Sequence, residues 1–373
     1  MTQDQLFRAG LRGVVAAQTR LSFVDGLAGE LIIAGYALED IAPYVTFEQM
    51  AFLLWNDRLP SGDELEIFDQ QLRSSRDLSP ATLALLSSAS EQQLPVMTAL
   101  RMAIGTLDLT LNTNDIQQTA IGLTAQIPVI VATYWRLLNG QAIVLPHPDL
   151  GHVANYLAML KGIEPSTEHI RALETYLNTV IDHGLNASTF TARVIISTAS
   201  DLISAVTGAI GALKGLRHGG APGPALDMVF EIGTSENAEA YLRDKLEAGE
   251  LLMGFGHRVY KVRDPRADVL AKAAEQFFSG GEGRELYTLA LHVEQEALRL
   301  LEIYKPGRNL QTNVEFYTAL LLHGIGLSSD LFSPSFAVGR MAGWIGHAFE
   351  QITDGNIIRP ESAYIGGRGR KFD

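Results

Sequence analysis

The 373-residue chain has no cysteine. Disulfides, thiolate nucleophiles, iron–sulfur clusters and cysteine-bound zinc are therefore excluded. The first residues, MTQDQLFRAG, lack a basic stretch followed by an apolar one, so they do not read as a secretory signal. No apolar run reads as long enough to span a bilayer. The best candidate, IPVIVATYW at 127–135, is short, holds Pro128 and runs into Arg136. A cytoplasmic address is expected by elimination. P-loop and H-E-x-x-H patterns are missing, as are internal repeats and low-complexity tracts. Positive charge is scarce: 29 Lys and Arg stand against 42 Asp and Glu, and a net charge of −13 argues against a nucleic-acid partner. A small anionic ligand needs only a local basic pocket, and basic clusters at Arg258–Arg266 and Arg368–Lys371 could supply one.

What the chain does have is apolar surface for a large core: 47% of residues are hydrophobic and only 19% charged, which at this length suits two domains. The periodicity is helical. Thr46 to Gln49 and Ser61 to Glu64 read as capping boxes, and Ser79-Pro80 as an N-cap followed by a first-turn proline. Further helices are predicted over about 95–107, 115–138, 167–181, 188–213, 237–248, 265–278, 284–303, 313–323 and 334–352. Two short apolar strands around Asp25-Gly26 predict a small N-terminal hairpin. No strand–helix alternation supports a Rossmann-type sheet. Glycine and proline crowd at 215–224, read as a domain boundary or ligand loop, and 279–285 reads as a surface turn. The charge-rich segment 217–325 reads as a smaller domain inserted into a larger helical one.

Of nine histidines, His147, His152, His169 and His292 suit surface or packing roles, and His323 and His347 lie within helical runs. His183, His218 and His257 each adjoin glycine, which lets backbone approach a ligand closely. The stretch GFGHRVYKVRDPR gathers His257, Arg258, Lys261, Arg263 and Arg266, with Asp264-Pro265 capping the next helix. Arginine offers a planar two-pronged match to a carboxylate, so this is a candidate anion site. Glu315, in NVEFYTALLL, is either a helix N-terminal charge or a general base, and local sequence alone favours the first.

These stretches together resemble the citrate synthase family. The resemblance runs from GLRGVVAAQTRLSFVDG and GELIIAGYALEDIA through DHGLNASTFTARVIISTASDL, AIGALKGLRHGGAP and GFGHRVYKVRDPRADVL. It continues through NVEFYTALLL to FAVGRMAGWIGHAFEQ and IIRPESAYIG. It implies an all-α fold with a large helical domain (1–216 and 325–373), a smaller inserted one (217–324) and the short N-terminal β-hairpin. It implies a homodimeric acyltransferase of the tricarboxylic acid cycle. Oxaloacetate binds first, the small domain closes, acetyl-CoA condenses with it, and citryl-CoA is hydrolysed to citrate and CoA. No metal, prosthetic group or membrane is involved.

Residue by residue, the resemblance makes His218 the donor to the acetyl oxygen, His257 the group that polarises the oxaloacetate carbonyl, and Glu315 the base. It gives oxaloacetate contacts to His183, Arg266 and Arg340, and has Arg359 reach the partner subunit's site. Met253, Gly254 and Phe255 would face the adenine. Lys261, Lys305, Arg308 and Asn313 would complete the CoA site. The chain departs from the family at Glu315, where aspartate is usual, and at Ile33-Ala34, where Tyr-Arg is usual. It also lacks the extra N-terminal domain of hexameric, NADH-regulated members, which favours a plain dimer. Two other readings stay open: a 2-methylcitrate synthase using propionyl-CoA, and a catalytically weak homologue acting as a ligand-binding regulatory dimer. The C-terminal GGRGRKFD is expected to wrap the partner as an arm.

Overall fold

Glycines hold the N-terminal hairpin against the loop that carries His257. In a computed structural model, which describes residues 7–111, 115–219, 222–257, 259–281 and 283–372, strand β1 (Ser22–Asp25) pairs antiparallel with β2 (Glu30–Ile33), with Ser22 opposite Ile33. A short β3 (Tyr36–Ala37) adds a third strand to the expected hairpin. Leu31 and Ile33 alternate into the core, as a half-buried strand requires. At the tip, the Gly26 carbonyl accepts from the Lys261 N–H at 2.7 Å. A Cβ on Gly26 would lie 2.4 Å from the Val259 carbonyl oxygen, so only glycine permits this approach.

The rest is helical. Helices α1 (Phe47–Asn56) and α2 (Gly62–Ser74) open with the expected capping boxes, and α3 (Pro80–Glu91) with the Ser79 cap and Pro80 at its first position. After α4 (Val96–Gly105) comes α5 (Ile116–Leu138), a 23-residue helix long and apolar enough by length and composition to cross a membrane. This corrects the reading of 127–135 as too short. Of its most apolar 18-residue window, 78% is buried inside the protein, because neighbouring helices surround it. Helices α6 (His152–Lys161) and α7 (Thr167–Val180) follow. The first was not anticipated: it starts after Gly151 without a side-chain cap, so its N-terminal signal is weak.

The single helix expected over 188–213 is two, α8 (Ala187–Ile196) and α9 (Leu202–Leu213), packed on each other. Ala199 adopts φ 62°, and Asp201 restarts the helix by accepting from the Ser204 N–H at 2.6 Å. Helix α10 (Pro222–Ile232) starts within the stretch 215–224 expected to be a boundary or ligand loop, since a proline at the first helical position costs no hydrogen bond. Then come α11 (Ser235–Glu247), α12 (Pro265–Phe278), α13 (Arg284–Tyr304), α14 (Val314–Gly324) and α15 (Phe332–Asp354).

Helix α15 is the axis of the core: it packs against α1, α5, α7, α8 and α9, and everything from Ala337 to Ala348 is buried. Two glycines let it press against the end of α7. A Cβ on Gly339 would stand 3.0 Å from the Leu177 carbonyl oxygen, and one on Gly343 only 2.1 Å from that of Ile181.

Candidate active site

The turn between α7 and α8 carries His183. Gly184 takes φ 57°, and Asn186 caps α8 by accepting from the Thr189 N–H at 3.1 Å while donating back to the Gly184 carbonyl at 3.3 Å. This double anchor points the His183 ring at the loop after α11. There its Nε2 meets the Tyr260 hydroxyl at 3.0 Å, and its ring stands 6.1 Å from that of His257, nearly perpendicular.

The His257 loop is tied down by glycine turns. Gly254 and Gly256 take φ 86° and 82°, between which Phe255 bridges to Thr312. The Gly256 N–H donates to Gln311 at 2.7 Å, and the Gly254 carbonyl accepts from Asn313 at 2.9 Å. His257 Nδ1 accepts from the backbone N–H groups of Val259 and Tyr260, both at 3.1 Å. With Nδ1 engaged as acceptor, Nε2 carries the proton. Arg266 Nη2 stands 3.2 Å from that Nε2. Two donors thus stand side by side, an arrangement suited to a carbonyl or carboxylate oxygen within reach of both.

Arg266 is fixed from behind by Asp264, whose carboxylate accepts from Nε at 3.0 Å and Nη2 at 2.8 Å, and from the Val314 N–H at 3.3 Å. Arg340 is 1% exposed and gives its Nε to the Val180 carbonyl at 2.5 Å. Among the described residues its two terminal nitrogens have no hydrogen-bond partner, which leaves them for a ligand. His218 lies against the start of α8: its Nε2 is 3.3 Å from the Ser188 N–H, which can only donate, and 2.8 Å from Ser188 Oγ. Ser188 Oγ in turn donates to Asn186 Oδ1 at 2.8 Å and accepts from Trp344 Nε1 at 3.1 Å. Glu315 sits in the first turn of α14, half-buried, with its N–H held by the Asn313 side chain at 3.0 Å.

The groups share one electrostatic field. Burial, and then Arg266, Arg340 and His257, push His183 well below its usual pKa. Burial and Arg340 lower His218 to about 4, and burial and Arg266 lower His257 to about 4. All three imidazoles are neutral at pH 7, hence suited to directed hydrogen bonding. Burial lowers Arg340 to about 10, so it stays charged. Burial raises Glu315 even though Arg266 opposes the shift and the helix terminus favours a carboxylate, which makes it a stronger base than an exposed glutamate.

The structure therefore brings together His183, His218, His257, Arg266, Arg340 and, by its coupling to Arg266, Glu315. Asn313 is spent on the protein: it caps α14 and donates to the Gly256 carbonyl at 2.9 Å. Met253 and Phe255 are half-buried against the core. The Asn309 side chain donates to the Lys261 carbonyl at 2.6 Å, and the Arg308 N–H to the Lys305 carbonyl at 3.2 Å, which ties the loop holding Lys305 and Arg308 to the one holding Lys261. Arg263, expected in the anion cluster, instead pairs with Asp268 and Glu294, which removes it from ligand duty. Arg258 lies outside the described residues. Arg359 is exposed on the extended C-terminal segment and is not brought to this cluster within one chain. Tyr260, Asp264, Asp182, Ser188 and Trp344 also join the site. The Asp264-Pro265 cap signal pointed toward one of them.

The family model described as citrate synthase, C-terminal domain, matches residues 10–361. The chain is 38% identical to the citrate synthase of Haloferax volcanii (98% of this chain, 97% of that protein) and 40% identical to citrate synthase 2 of Bacillus subtilis (97% of each). It is also 37% identical to the 2-methylcitrate synthase of Mycobacterium tuberculosis (97% of this chain, 91% of that protein). Among solved structures, citrate synthase from Pyrobaculum aerophilum superposes with a TM-score of 0.88 at 34% identity, covering 98% of this chain and 94% of that one. The citrate synthase of Thermoplasma acidophilum, in a ternary complex with carboxymethyl coenzyme A and oxaloacetate, superposes at 0.87 and 28% identity, covering 98% and 97%. Matched by the family model over most of its length and by relatives across nearly the whole chain, the chain belongs to the citrate synthase family of acyl-transferring enzymes.

Proposed function

We propose that this chain condenses acetyl-CoA with oxaloacetate and hydrolyses the resulting citryl-CoA. The observation that carries this reading is the pair of donors, His257 Nε2–H and Arg266 Nη2, side by side near the His183 ring and within the field of Arg340. Arg266 and Arg340 would hold the carboxylates of oxaloacetate, His183 would hydrogen-bond it, and His257 would polarise its ketone.

A thioester methyl group is a very weak acid, so a carboxylate removes its proton only where a donor stabilises charge on the carbonyl oxygen at the same moment. Glu315 takes the proton and the His218 imidazole N–H donates to that oxygen. The enol carbon attacks the ketone carbon, and the ketone oxygen gains its proton from His257. Water then adds to the thioester carbonyl and the CoA thiol leaves. No step requires a metal or prosthetic group. Met253, Gly254 and Phe255 would contact adenine, and Lys261, Lys305 and Arg308 would meet CoA phosphates. Segments 1–216 with 325–373, and 217–324, act as the two domains that close on substrate. The enzyme works as a cytoplasmic homodimer, Arg359 and the C-terminal segment reaching the partner.

Purified protein mixed with oxaloacetate and either acetyl-CoA or propionyl-CoA, with free thiol followed over time, tests this. Faster release with acetyl-CoA is expected. Faster release with propionyl-CoA makes it a 2-methylcitrate synthase, a reading favoured by the Mycobacterium tuberculosis relative. No release with either sinks both and leaves a ligand-binding homologue.

A further inference from the structure

We infer that His347 is a positioning residue for His183, acting through Asp182 and the backbone of the 182–184 turn. The inference rests on the reading of His183 as an oxaloacetate contact. It starts from Arg193, which is 2% exposed and can only donate. Its Nε donates to Gln351 Oε1 at 2.9 Å, and its Nη1 to Glu350 Oε2 at 2.9 Å and to His347 Nδ1 at 3.0 Å. Because Nδ1 must accept, Nε2 bears the ring proton, and it faces Asp182 Oδ1 at 3.1 Å. Asp182 Oδ2 accepts from the Ser22 hydroxyl at 2.5 Å, and Ser22 Oγ accepts from the Gly184 N–H at 2.7 Å. The Gly184 N–H also reaches Asp182 Oδ2 itself, at 3.4 Å. Donors run into Asp182 from both sides, and His183 lies between the two residues so fixed.

His347 and Asp182 are wholly buried, so the arrangement has little freedom to slacken: a buried carboxylate that loses a donor is costly. Burial works against the charge on Asp182, yet His347, Arg340 and Ser22 together keep its carboxyl below the usual range. Helix α15 sets the distances. Arg340, Trp344, His347 and Gln351 recur at helical spacing along one face. In turn they bond the Val180 carbonyl, Ser188 Oγ, Asp182 and Arg193. Ser188 is the residue against which His218 rests. Gly343, whose Cβ would fall 2.1 Å from the Ile181 carbonyl oxygen, lets the helix stand this close to the turn.

A space-filling histidine would affect stability but not the handling of one substrate. The test is steady-state kinetics of His347→Leu, His347→Gln and Ser22→Ala beside His183→Ala, with folding checked by circular dichroism and thermal melting. Expected is at least a tenfold rise in KM for oxaloacetate in His347→Leu, with KM for the acyl-CoA within twofold of the parent. Glutamine can accept at Oε1 and donate from Nε2, so His347→Gln should recover most of the loss. Ser22→Ala removes the chain's other arm with little change in volume, so it carries the test if His347→Leu does not fold, and its KM for oxaloacetate should also rise. Folded His347 and Ser22 variants with parental KM for oxaloacetate, alongside a raised one in His183→Ala, would overturn the positioning role while leaving the site intact. An unchanged KM in His183→Ala would overturn the reading of the site and the inference with it.

Discussion

Replacing Asn313 by alanine separates two roles for this residue, a CoA contact and a structural latch. Its side chain accepts from the Glu315 N–H at 3.0 Å and donates to the Gly256 carbonyl at 2.9 Å, while its own N–H donates to the Gly254 carbonyl at 2.9 Å. The latch therefore joins the first turn of α14, which carries Glu315, to the glycine turn before His257. Losing an N-cap side chain costs about 1 kcal/mol. Losing one further neutral hydrogen bond costs about 1 kcal/mol more. Asn313→Ala should thus lower unfolding free energy by roughly 2 kcal/mol in urea titration, seen as a lower midpoint at unchanged slope. Since a displacement of about 1 Å can cost on the order of a hundredfold in rate, kcat should fall at least tenfold. Asn313→Asp keeps the cap oxygen but sets an oxygen against the Gly256 carbonyl, so it should retain helix capping and still lose rate. A variant of parental stability and kcat, with only KM for the acyl-CoA raised, would refute the latch and make Asn313 a CoA ligand.

Glu315→Gln should reduce thiol release by about 10²–10⁴-fold, the usual contribution of a positioned base. Retained turnover would assign the base elsewhere, and faster release in Glu315→Asp would show that the longer side chain limits rate. The parental rate should rise with pH through a pKa above that of an ordinary glutamate, because burial raises this carboxyl and it must be ionised to act. Imidazole NMR should find His218 and His257 neutral down to about pH 4 in free protein, with both pKa values rising when oxaloacetate offsets the charge of Arg266 and Arg340. Away from the site, burial and neighbouring Glu48 raise Glu174 to about 7 from 4.5. The folded state then binds the extra proton, so its stabilising effect is full below pH 4.5 and is lost as pH rises through 7. Over that window Glu174→Gln should flatten the fall in stability by as much as roughly 3 kcal/mol, measured by denaturation at fixed pH values.

Much of the fold was legible because its signals are local. The boxes at Thr46 and Ser61, the Ser79-Pro80 start and the Asp264-Pro265 cap each satisfy backbone donors within four residues, and all four helices begin there. Where the local signal weakens, the reading failed. The apolar spacing on either side of residues 197–201 suggests one helix, and only the left-handed Ala199 with the Asp201 cap reveals two. The Gly151 start of α6 has no side-chain cap to find.

The same division holds at the site. Glycine next to His183, His218 and His257 marks places where backbone can approach a ligand, and that mark is written in the sequence. Which nitrogen of a ring bears the proton is decided by partners far along the chain, such as Arg193 for His347, 154 residues away. Arg263 and Arg266 look alike in one basic run, yet Glu294 and Asp268 claim the first, while the second, backed by Asp264, keeps an Nη2 facing His257. His347 looked like a core histidine, and it is buried; that it lies between Arg193 and Asp182 depends on how closely α15 can approach α7. Composition, caps and glycine-flanked histidines were determined by the sequence alone. Protonation, charge pairing and the aim of each side chain were decided by tertiary structure, because those energies depend on burial and distance between residues that no local pattern relates.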